Sequence, residues 1–504
     1  MGAQLETKKV IETPRDFPST NPVLTKSFRD PSGRLVVVKG RVLRIITTEG
    51  KPILDRFLSS AAAQNLVSGQ RIVGTKVLGE AECRSLLETA ELKACSDDID
   101  VAMVVEHARL PFPSFPQEWS PELLNSAAQL TLELAERLLE DGLGLKDATP
   151  YNVLFQGPEP VFVDILSFES RRPGDAIWLP YAQFLRTFII PLLLNKHFGL
   201  SPHQFFLTHR DGLSPEDLYE FCSPIRRLLP PFLTLISIPK WLGGTSQAKS
   251  TEFYTRKPDI DPERARFTLQ LLFRGLRRTL GRAAPPDQQR SAWTGYMAEM
   301  THYTKDQFEG KQAFVDKALR EFRPESVLDV GCNTGFFSCL AAKNGARVVA
   351  IDSDPAVVDR VYRTVRKEKL DVLPLVVDLT RPTPAVGWRN SECSSFLDRA
   401  CGSFDAVLML AVIHHMLVTE RVPLQDIIDL AADLTRDLVI IEFVGPEDQM
   451  FRRLTRGREE LFTGVTRDVF EATASRRFET IRSEQLEAHR CIYLLKKVQR
   501  GKLG

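Results

Sequence analysis

The sequence has almost no excess of charge of either sign. Its 66 lysine and arginine residues are balanced by 65 aspartate and glutamate residues, so the formal net charge at pH 7 is +1. Proteins that bind nucleic acids or acidic lipids through their overall field carry a clear basic excess. We therefore expect no nucleic-acid partner unless a local patch supplies the charge. The best candidate patch is Arg452–Arg458, but such a run is usually a solvated helix face.

The cysteines lack the spacing of a metal site or a disulfide framework. The eight cysteines are scattered and none forms a Cys-x-x-Cys pair, so neither zinc nor a set of disulfides is predicted. The first residues are polar and have no signal-peptide pattern, and Glu6 stands where N-myristoylation requires serine or threonine. These features predict a cytoplasmic protein with reduced cysteines.

Long uninterrupted apolar runs are also missing. The nearest approach, Ile177–Leu194, is almost long enough to span a bilayer, but it contains Gln183, Arg186 and two prolines. A second apolar run, from Leu228, is broken by prolines in the same way. We predict buried helices here, with membrane contact as the less favoured alternative.

The glycine spacing of a dinucleotide-binding loop, Gly-x-Gly-x-x-Gly, does not occur in the second half of the chain, but a different glycine turn does. The segment Asp329–Gly335 follows an apolar run and opens a helix. Gly331 and Gly335 allow a sharp turn and a close approach to a ligand. The start of the helix offers unpaired N–H groups to a carboxylate. Taken alone, this turn is weak evidence for a binding site.

Short apolar runs alternate with helical segments after this turn, which is typical of a parallel sheet covered by helices on both faces. The predicted strands are 326–332, 347–354, 372–379, 404–412 and 437–444, and 478–485 and 490–497 are expected to form a hairpin at the sheet edge. Asp352 ends the second strand, where it can accept hydrogen bonds from ribose hydroxyls. Asp378 ends the third, near an adenine amino group, and the backbone of Leu410 and Ala411 would close the pocket. The strand ends together predict a nucleoside-binding site.

These motifs resemble the class I S-adenosylmethionine (SAM) dependent methyltransferases, and the resemblance covers the chain from about Trp293 to its end. It implies an α/β, Rossmann-like fold and SAM as the cofactor. In this resemblance the glycine turn holds the methionine moiety, the end of the second strand the ribose, and the end of the third strand the adenine. The cofactor-binding residues that it implies are Asp329, Gly331, Cys332, Asn333, Gly335, Asp352, Ser353, Asp378, Leu379 and Ala411.

Methyl transfer needs a base only when the acceptor must lose a proton, because the cofactor carries the reactive electrophile. His414 and His415 lie just past the fourth predicted strand, and Glu442 ends the fifth. These three residues are the catalytic candidates, although a histidine here is often a pocket wall or a helix cap. Tyr303 and Lys311 precede the first strand and are expected either to contact the cofactor or substrate, or to cap and solvate a helix.

The first half of the chain has a different texture. Two β-rich runs around Lys39 and Gly40 predict a hairpin, and further strands are expected from Arg71 and from Asp98. A helix with apolar spacing is predicted to end at Gly142. Helical sequence punctuated by prolines then continues to about Gly281.

Asp147, Asn152 and Asp164 follow that helix, in the order in which kinases place a base and two magnesium ligands. The stretch therefore resembles the kinase-like and aminoglycoside phosphotransferase fold. This resemblance implies an α+β domain, with Asp147 as the base and the other two residues as the metal ligands. The residue before Asp147 is Lys146, Ile-Leu follows Asp164, and residues 30–60 contain no glycine-rich phosphate loop. We predict a non-catalytic lobe, with Mg-ATP binding as the less favoured alternative.

The order of motifs along most of the chain also resembles the methyltransferases related to the nodulation protein NoeA, which implies a small molecule or a glycan as the methyl acceptor. A bifunctional methyltransferase/phosphotransferase and a non-enzymatic SAM-binding scaffold stay open as alternatives. The sequence does not indicate the oligomeric state. The predicted domains are a tail at 1–27, a kinase-like domain at 28–280, a linker at 281–290 and the methyltransferase domain at 291–504.

Overall fold

The computed structural model describes residues 30–243, 260–285 and 305–498. The predicted tail at 1–27, Trp293, Tyr303 and residues 286–290 of the predicted linker lie outside the described residues. The strands are β1 (Gly33–Val38), β2 (Arg41–Thr47), β3 (Thr75–Val77), β4 (Val101–His107), β5 (Leu143–Leu145), β6 (Val153–Gln156), β7 (Glu159–Phe162), β8 (Phe168–Ser170), β9 (Ser326–Val330), β10 (Arg347–Asp352), β11 (Val372–Val376), β12 (Phe404–Met409), β13 (Thr435–Val444), β14 (Phe478–Glu487) and β15 (Arg490–Lys497). The helices are α1 (Lys51–Ser59), α2 (Ala61–Ser68), α3 (Glu80–Leu87), α4 (Ala90–Ser96), α5 (Pro121–Leu138), α6 (Tyr181–Phe184), α7 (Ile190–Phe198), α8 (Pro202–Thr208), α9 (Pro215–Phe221), α10 (Pro224–Arg227), α11 (Ile238–Gly243), α12 (Pro262–Ala283), α13 (Lys305–Phe322), α14 (Phe336–Lys343), α15 (Pro355–Glu368), α16 (Phe396–Ala400), α17 (Ile413–Val418), α18 (Leu424–Leu434), α19 (Gln449–Thr455) and α20 (Arg467–Ala474).

The first of two compact units contains the described part of Met1–Lys51 together with Thr75–Arg109. Its strands form an antiparallel sheet in the order β1-β2-β4-β3. The predicted hairpin is confirmed: it turns at Lys39 and Gly40, whose φ angles of 47° and 81° suit a tight hairpin turn. The sheet buries a small apolar core that includes Val36, Leu43, Ile45, Leu92 and Val104.

The second compact unit contains Pro52–Gly74 and the described part of Leu110–Gly504. The helix predicted before the Asp147 stretch is α5, and the chain leaves its end through Gly142 at φ 64°, as a left-handed C-cap requires. Two short antiparallel pairs, β5 with β8 and β6 with β7, then hold the stretch from Gly144 to Glu169. The expected helix is therefore present, while the likeness to a kinase lobe stays a prediction.

The segment Val153–Pro158 reads Val-Leu-Phe-Gln-Gly-Pro, which looks like an engineered protease recognition site, although the strand–loop–strand pattern around it predicts a native hairpin. The structure confirms the hairpin, formed by β6 and β7. Gly157 and Pro158 are buried at its tip, and a Cβ added to Gly157 would lie 2.8 Å from Asp371 Oδ1.

We expect the protease specific for this sequence to leave the folded protein intact, because cleavage requires the hairpin to open locally. Electrophoresis would follow cleavage of the native protein and of the same protein in urea at a concentration that the protease tolerates. A cleavable reporter in the same tube serves as the control. Equal cleavage of the native and the urea-treated protein would contradict a packed hairpin.

The apolar run Ile177–Leu194 is helical from Tyr181 onward and mostly buried from Phe184, as predicted, but Ile177 and Leu179 lie before the helix and are exposed. It comprises α6, a π-helical turn at Leu185–Ile189 and α7. The wide turn precedes Pro191, whose ring has no N–H and would crowd the carbonyl of Thr187 in a regular α-helix. Within the ranges that the structure describes, no helix is both long and apolar enough to cross a membrane.

The last third of the chain forms a seven-stranded sheet in the order β11-β10-β9-β12-β13-β15-β14. The strands β9 to β13 are parallel, and β15 inserts antiparallel between β13 and β14. The predicted Rossmann-like α/β class, the parallel strands and the terminal hairpin at the sheet edge are confirmed. Val330 pairs in register with Ile351 and with Met409. The ends of β9, β10 and β12 therefore meet at one edge of the sheet.

The division into units differs from the predicted one. Helix α12 continues through Gly281–Ala283, three residues into the predicted linker. Residues 110–285 belong to the same compact unit as the seven-stranded sheet, and the units separate near Lys51, Thr75 and Arg109 instead. Ion pairs join residues 110–285 to the methyltransferase part of the chain, among them Glu118 with Arg399 and Glu122 with Arg363.

Candidate active site

The turn after β9 requires glycine at two positions. Gly331 and Gly335 have φ angles of 67° and 76°. A Cβ on Gly331 would lie 2.7 Å from Val412 Cγ2, and a Cβ on Gly335 would lie 2.9 Å from Val361 Cγ1. Asn333, between them, is also left-handed at φ 46°. The turn is therefore sharp and closely packed, as a loop that receives a ligand on its backbone must be.

Asp329 lies at the base of this turn and is 2% exposed. Its carboxyl group accepts a hydrogen bond of 2.5 Å from the Ser338 hydroxyl on α14. Burial raises the pKa of Asp329 to about 7, although the Ser338 hydrogen bond and the charge of Lys311 oppose the rise. Asp329 therefore ties the strand end to the helix that follows the turn.

Asp352, at the end of β10, holds the same turn from the other side. Its carboxylate accepts the backbone N–H of Asn333 at 3.1 Å and that of Asp354 at 3.0 Å. Burial raises the pKa of Asp352, and these N–H donors act in the opposite direction. The neighbouring Ser353 is exposed. The glycine turn and the second strand end thus form one connected site.

The third and fourth strand ends complete the edge. Asp378 accepts hydrogen bonds from the backbone N–H of Thr380 at 2.9 Å and from Arg381 Nε at 3.1 Å. Burial acts to raise the pKa of Asp378, but these donors outweigh it and lower the pKa. Leu379 is buried beside it. Ala411, after β12, has an unusual φ of 56°, a conformation that concentrates at functional sites.

His414 and His415 begin α17, with ring centroids 4.3 Å apart. His414 is 2% exposed, and neither of its ring nitrogens has a hydrogen-bond partner among the described residues. Burial lowers the pKa of His414 far below its usual value, and the nearby charges of Arg490 and Lys311 add to the effect. Burial also lowers the pKa of the half-buried His415. Both imidazoles are therefore uncharged at pH 7.

Glu442 lies in a buried cluster of charges. Lys311 Nζ is 2.6 Å from its carboxylate, and Arg490 Nη1 is 3.4 Å from it. Arg490 also donates to Asp448 at 2.8 Å and 3.0 Å. The four side chains are at most 7% exposed. Sequence reasoning missed Arg490 and Asp448. The available signal was a charged residue directly before the apolar run 491–495 of β15.

A cavity of about 580 Å³ opens at the end of β13, next to this cluster. Arg490 forms part of its wall, together with residues from the segment Glu447–Arg467. Arg452, in the basic segment Arg452–Arg458, is exposed on the same cavity. The cavity and the glycine turn lie at different places along this edge of the sheet. The turn follows β9, the cavity lies at the end of β13, and β12 separates these two strands.

The three residues that follow the kinase order lie at two neighbouring sites, Asn152 and Asp164 at one and Asp147 at the other. Asn152 donates to the Ser167 hydroxyl at 2.9 Å, and that hydroxyl donates to Asp164 at 2.6 Å. Asp147 instead lines a separate cavity of about 380 Å³ with Lys146. Within the described ranges, no group of three or more His, Cys, Asp or Glu side chains is arranged to hold a metal ion. Ser167 was not predicted, since nothing in the local sequence marks it.

Comparison with known proteins adds to this geometry. A family model described as "Methyltransferase domain" matches residues 328–426, which include the glycine turn and the first four strand ends. The nodulation protein NoeA of Rhizobium meliloti (strain 1021) is 32% identical over 471 residues, which are 90% of this chain and 92% of that protein.

Two further relatives are similar over shorter regions. The O-antigen chain terminator bifunctional methyltransferase/kinase WbdD of Escherichia coli is 31% identical over 130 residues, 26% of this chain and 16% of that protein. The solved structure of magnesium protoporphyrin IX methyltransferase (ChlM) from Synechocystis PCC 6803 with bound SAH is 19% identical. It covers 41% of this chain and 94% of that one, with a TM-score of 0.30.

Proposed function

The chain belongs to the family of the nodulation protein NoeA and is a SAM-dependent methyltransferase, and we propose that it methylates a small molecule or a glycan. The observation that carries the proposal is the connection between the glycine turn and the second strand end, made by the hydrogen bond from Asn333 to Asp352. This connection places a backbone cradle and an acidic acceptor side by side at the carboxyl edge of a parallel sheet, where α/β proteins bind nucleosides.

We assign the parts of SAM to this edge as follows. The methionine carboxylate lies against the N–H groups at the start of α14, within the turn that contains Asp329, Cys332 and Gly335. The ribose hydroxyls donate to Asp352 near Ser353. The adenine lies against Leu379, near Asp378, with the backbone at Ala411 closing the pocket. The fit is supported by the two glycine positions where a Cβ would collide with a valine.

The bound cofactor supplies a methyl group on a sulfonium, and the chain supplies alignment, exclusion of water and, where needed, a base. We assign the base role to His415, because it is neutral and only half buried. His414 forms the wall behind it. Glu442 is less suited to this role, since its carboxylate is already paired with Lys311 and Arg490.

Replacing Asp352 by alanine is expected to weaken SAM and SAH binding by about 1–3 kcal/mol, the usual cost of unpairing buried polar groups. The loss includes the hydrogen bonds from the ribose hydroxyls and the hydrogen bond that Asp352 accepts from the Asn333 N–H. Isothermal titration calorimetry with SAH measures it. Asp437→Ala, a change at a half-exposed position near the start of β13 and away from this edge, is the matched control. Equal affinities for the wild type and Asp352→Ala would sink the ribose assignment.

We also propose that the enzyme works in the cytoplasm and that residues 110–285 serve as a non-catalytic lobe that helps to recognise the acceptor. All eight cysteines are free, which agrees with a reducing compartment. The ion pairs between this lobe and the methyltransferase sheet support a shared role. An acceptor screen with a labelled methyl donor tests the proposal. SAM binding without turnover on any acceptor would favour a non-enzymatic scaffold.

A bifunctional enzyme that also transfers phosphate is the second candidate. The hydrogen-bonded group of Asn152, Ser167 and Asp164, with Asp147 on the neighbouring cavity, favours it. In an active lobe, Asn152 and Asp164 would have to exchange Ser167 for magnesium. This candidate predicts a thermal shift with Mg-ATP that disappears in Asp164→Ala. A melting temperature that Mg-ATP does not change would remove it.

A further inference from the structure

The cavity beside Asp147 has a charged and polar lining that the methyl-transfer chemistry does not use. Its volume is about 380 Å³. Three cationic side chains and two carboxylates line it, accompanied by threonine and glutamine. The charged residues are Lys146, Asp147, Arg186, Arg210 and Asp211.

The walls of this cavity are fixed to one another. The backbone N–H of Ala148 donates to Gln183 Oε1 at 2.7 Å, and the Thr187 hydroxyl donates to the Ala148 carbonyl at 3.3 Å. A Cβ added to Gly212 would lie 2.4 Å from the Arg186 carbonyl, so the turn after Arg210 packs directly on the π-helical turn. Such walls hold their polar groups in place before a ligand arrives, which reduces the entropy that binding costs.

The polar groups in the cavity indicate the chemistry of its ligand. The Nε of Arg186 is buried and has no hydrogen-bond partner among the described residues. The side chains of Arg186, Lys146 and Arg210 line the cavity, so an anionic oxygen of a ligand there would receive charge-assisted hydrogen bonds from them. Asp147 and Asp211 are hydrogen-bond acceptors, which suit the hydroxyl groups of a sugar.

Arg210 connects the cavity to the methyltransferase sheet. Its guanidinium lies 4.8 Å from the ring centroid of Tyr151 and forms an ion pair with Glu392. Glu392 belongs to the loop between Val386 and Cys393, which two backbone hydrogen bonds of 3.0 Å and 3.1 Å close. This loop lies between β11 and β12, downstream of the strand end assigned to adenine. A ligand that contacts Arg210 therefore contacts a residue that forms an ion pair with a loop of the methyltransferase sheet.

We propose that this cavity binds a sugar that carries an anionic group, either a phosphate or a carboxylate, and that Arg210 and Glu392 couple its occupancy to SAM binding. This sugar would be part of the methyl acceptor, and that assignment rests on the proposed function. The cavity lies entirely in residues 146–211, so sugar binding and SAM binding can be measured separately.

The first experiment measures binding to the full chain by ligand-observed NMR. The probes are glucose 6-phosphate, glucuronate, glucose and inorganic phosphate. We expect glucose 6-phosphate or glucuronate to bind at least about tenfold more tightly than glucose or phosphate alone, because two sets of groups act together. Binding of glucose 6-phosphate would identify the anionic group as a phosphate, and binding of glucuronate would identify it as a carboxylate. The proposal is overturned if neither anionic sugar binds, or if phosphate alone binds as well as the sugar phosphate.

Variants locate the site. Arg186→Gln is expected to weaken binding of the anionic sugar about tenfold or more, whereas Arg172→Gln, an exposed change outside the cavity, leaves it unchanged. Thermal melts verify that both variants fold. Asp147→Asn, an exposed position on the rim, is the second variant and is expected to weaken binding by reducing the contacts to hydroxyl groups. Wild-type affinity in both cavity variants would place the sugar elsewhere and overturn the assignment.

The coupling is tested by calorimetry with SAH, with and without saturating anionic sugar. We expect the SAH affinity to change about threefold or more in the wild type and to be unaffected by the sugar in Glu392→Gln, since coupling between two sites is reciprocal. An SAH affinity that the sugar does not alter in the wild type would refute the coupling. Failure of SAH to bind without any sugar would instead refute the proposed function, so the two failures are distinguishable.

Discussion

Replacing Arg399 by alanine is expected to lower the free energy of unfolding by about 3–5 kcal/mol, the cost of leaving a buried charge without its partner. Arg399 on α16 pairs with Glu118, and the two side chains are 7% and 0% exposed. Its guanidinium also donates to the Pro113 carbonyl at 2.5 Å and lies 4.9 Å from the ring centroid of Phe115. These contacts join residues 113–118 to the methyltransferase sheet.

Thermal melting and urea titration of the full chain measure this loss. Arg320→Ala removes a guanidinium that is 72% exposed and pairs with Asp316 at 2.8 Å, so it controls for the loss of an ion pair at the surface, which is worth about 0–1 kcal/mol. The double change Arg399→Met with Glu118→Gln removes both charges and is expected to regain part of the stability. Equal melting temperatures for Arg399→Ala and Arg320→Ala would contradict a buried, stabilising connection.

Replacing Gly331 by alanine is expected to weaken SAM binding by about 2–4 kcal/mol, roughly 30- to 1,000-fold in Kd. Two costs add. A residue with a Cβ is strained at the φ of 67° that this position adopts, and the Cβ would lie 2.7 Å from Val412 Cγ2. The turn must shift to relieve that contact, and the shift moves the backbone that is assigned to the methionine moiety.

Gly402→Ala separates strain from crowding. Gly402 has a φ of 61°, and a Cβ there would meet nothing within 4 Å, so this variant carries the strain alone at a position outside the glycine turn. Combining Gly331→Ala with Val412→Ala removes the colliding methyl group and is expected to restore part of the affinity. Calorimetry with SAH compares the variants. Undiminished SAH binding by Gly331→Ala would show that the turn does not hold the cofactor.

The methyltransferase half could be predicted because its signals are local. The strand around Val327, the turn at Gly331 and the acid at Asp352 each occupy a few consecutive residues, and a parallel sheet brings the ends of its strands to one edge. The role of Glu442 could not be settled in this way. Its surroundings depend on Lys311 and Arg490, which are 131 and 48 positions away along the chain.

The domain boundary shows the same limit. Composition alone places a linker at 281–290, because proline, glycine and polar residues gather there. The compact units divide elsewhere, and Glu118 and Glu122 form ion pairs with Arg399 and Arg363 across that predicted boundary. Such pairs join residues more than 240 positions apart, and no local pattern marks them.

The amino-acid sequence by itself determined the class of the sheet, the cofactor and the turn that receives it. The reason is that these features are local: a glycine at positive φ and an acidic residue at a strand end each depend on residues that are close in the sequence. Only the tertiary structure decided which polar side chains meet. In the folded protein Glu442 pairs with two buried cations, and Arg210 pairs with Glu392. The Arg186 Nε is buried without a hydrogen-bond partner among the described residues. Those encounters depend on how distant segments pack.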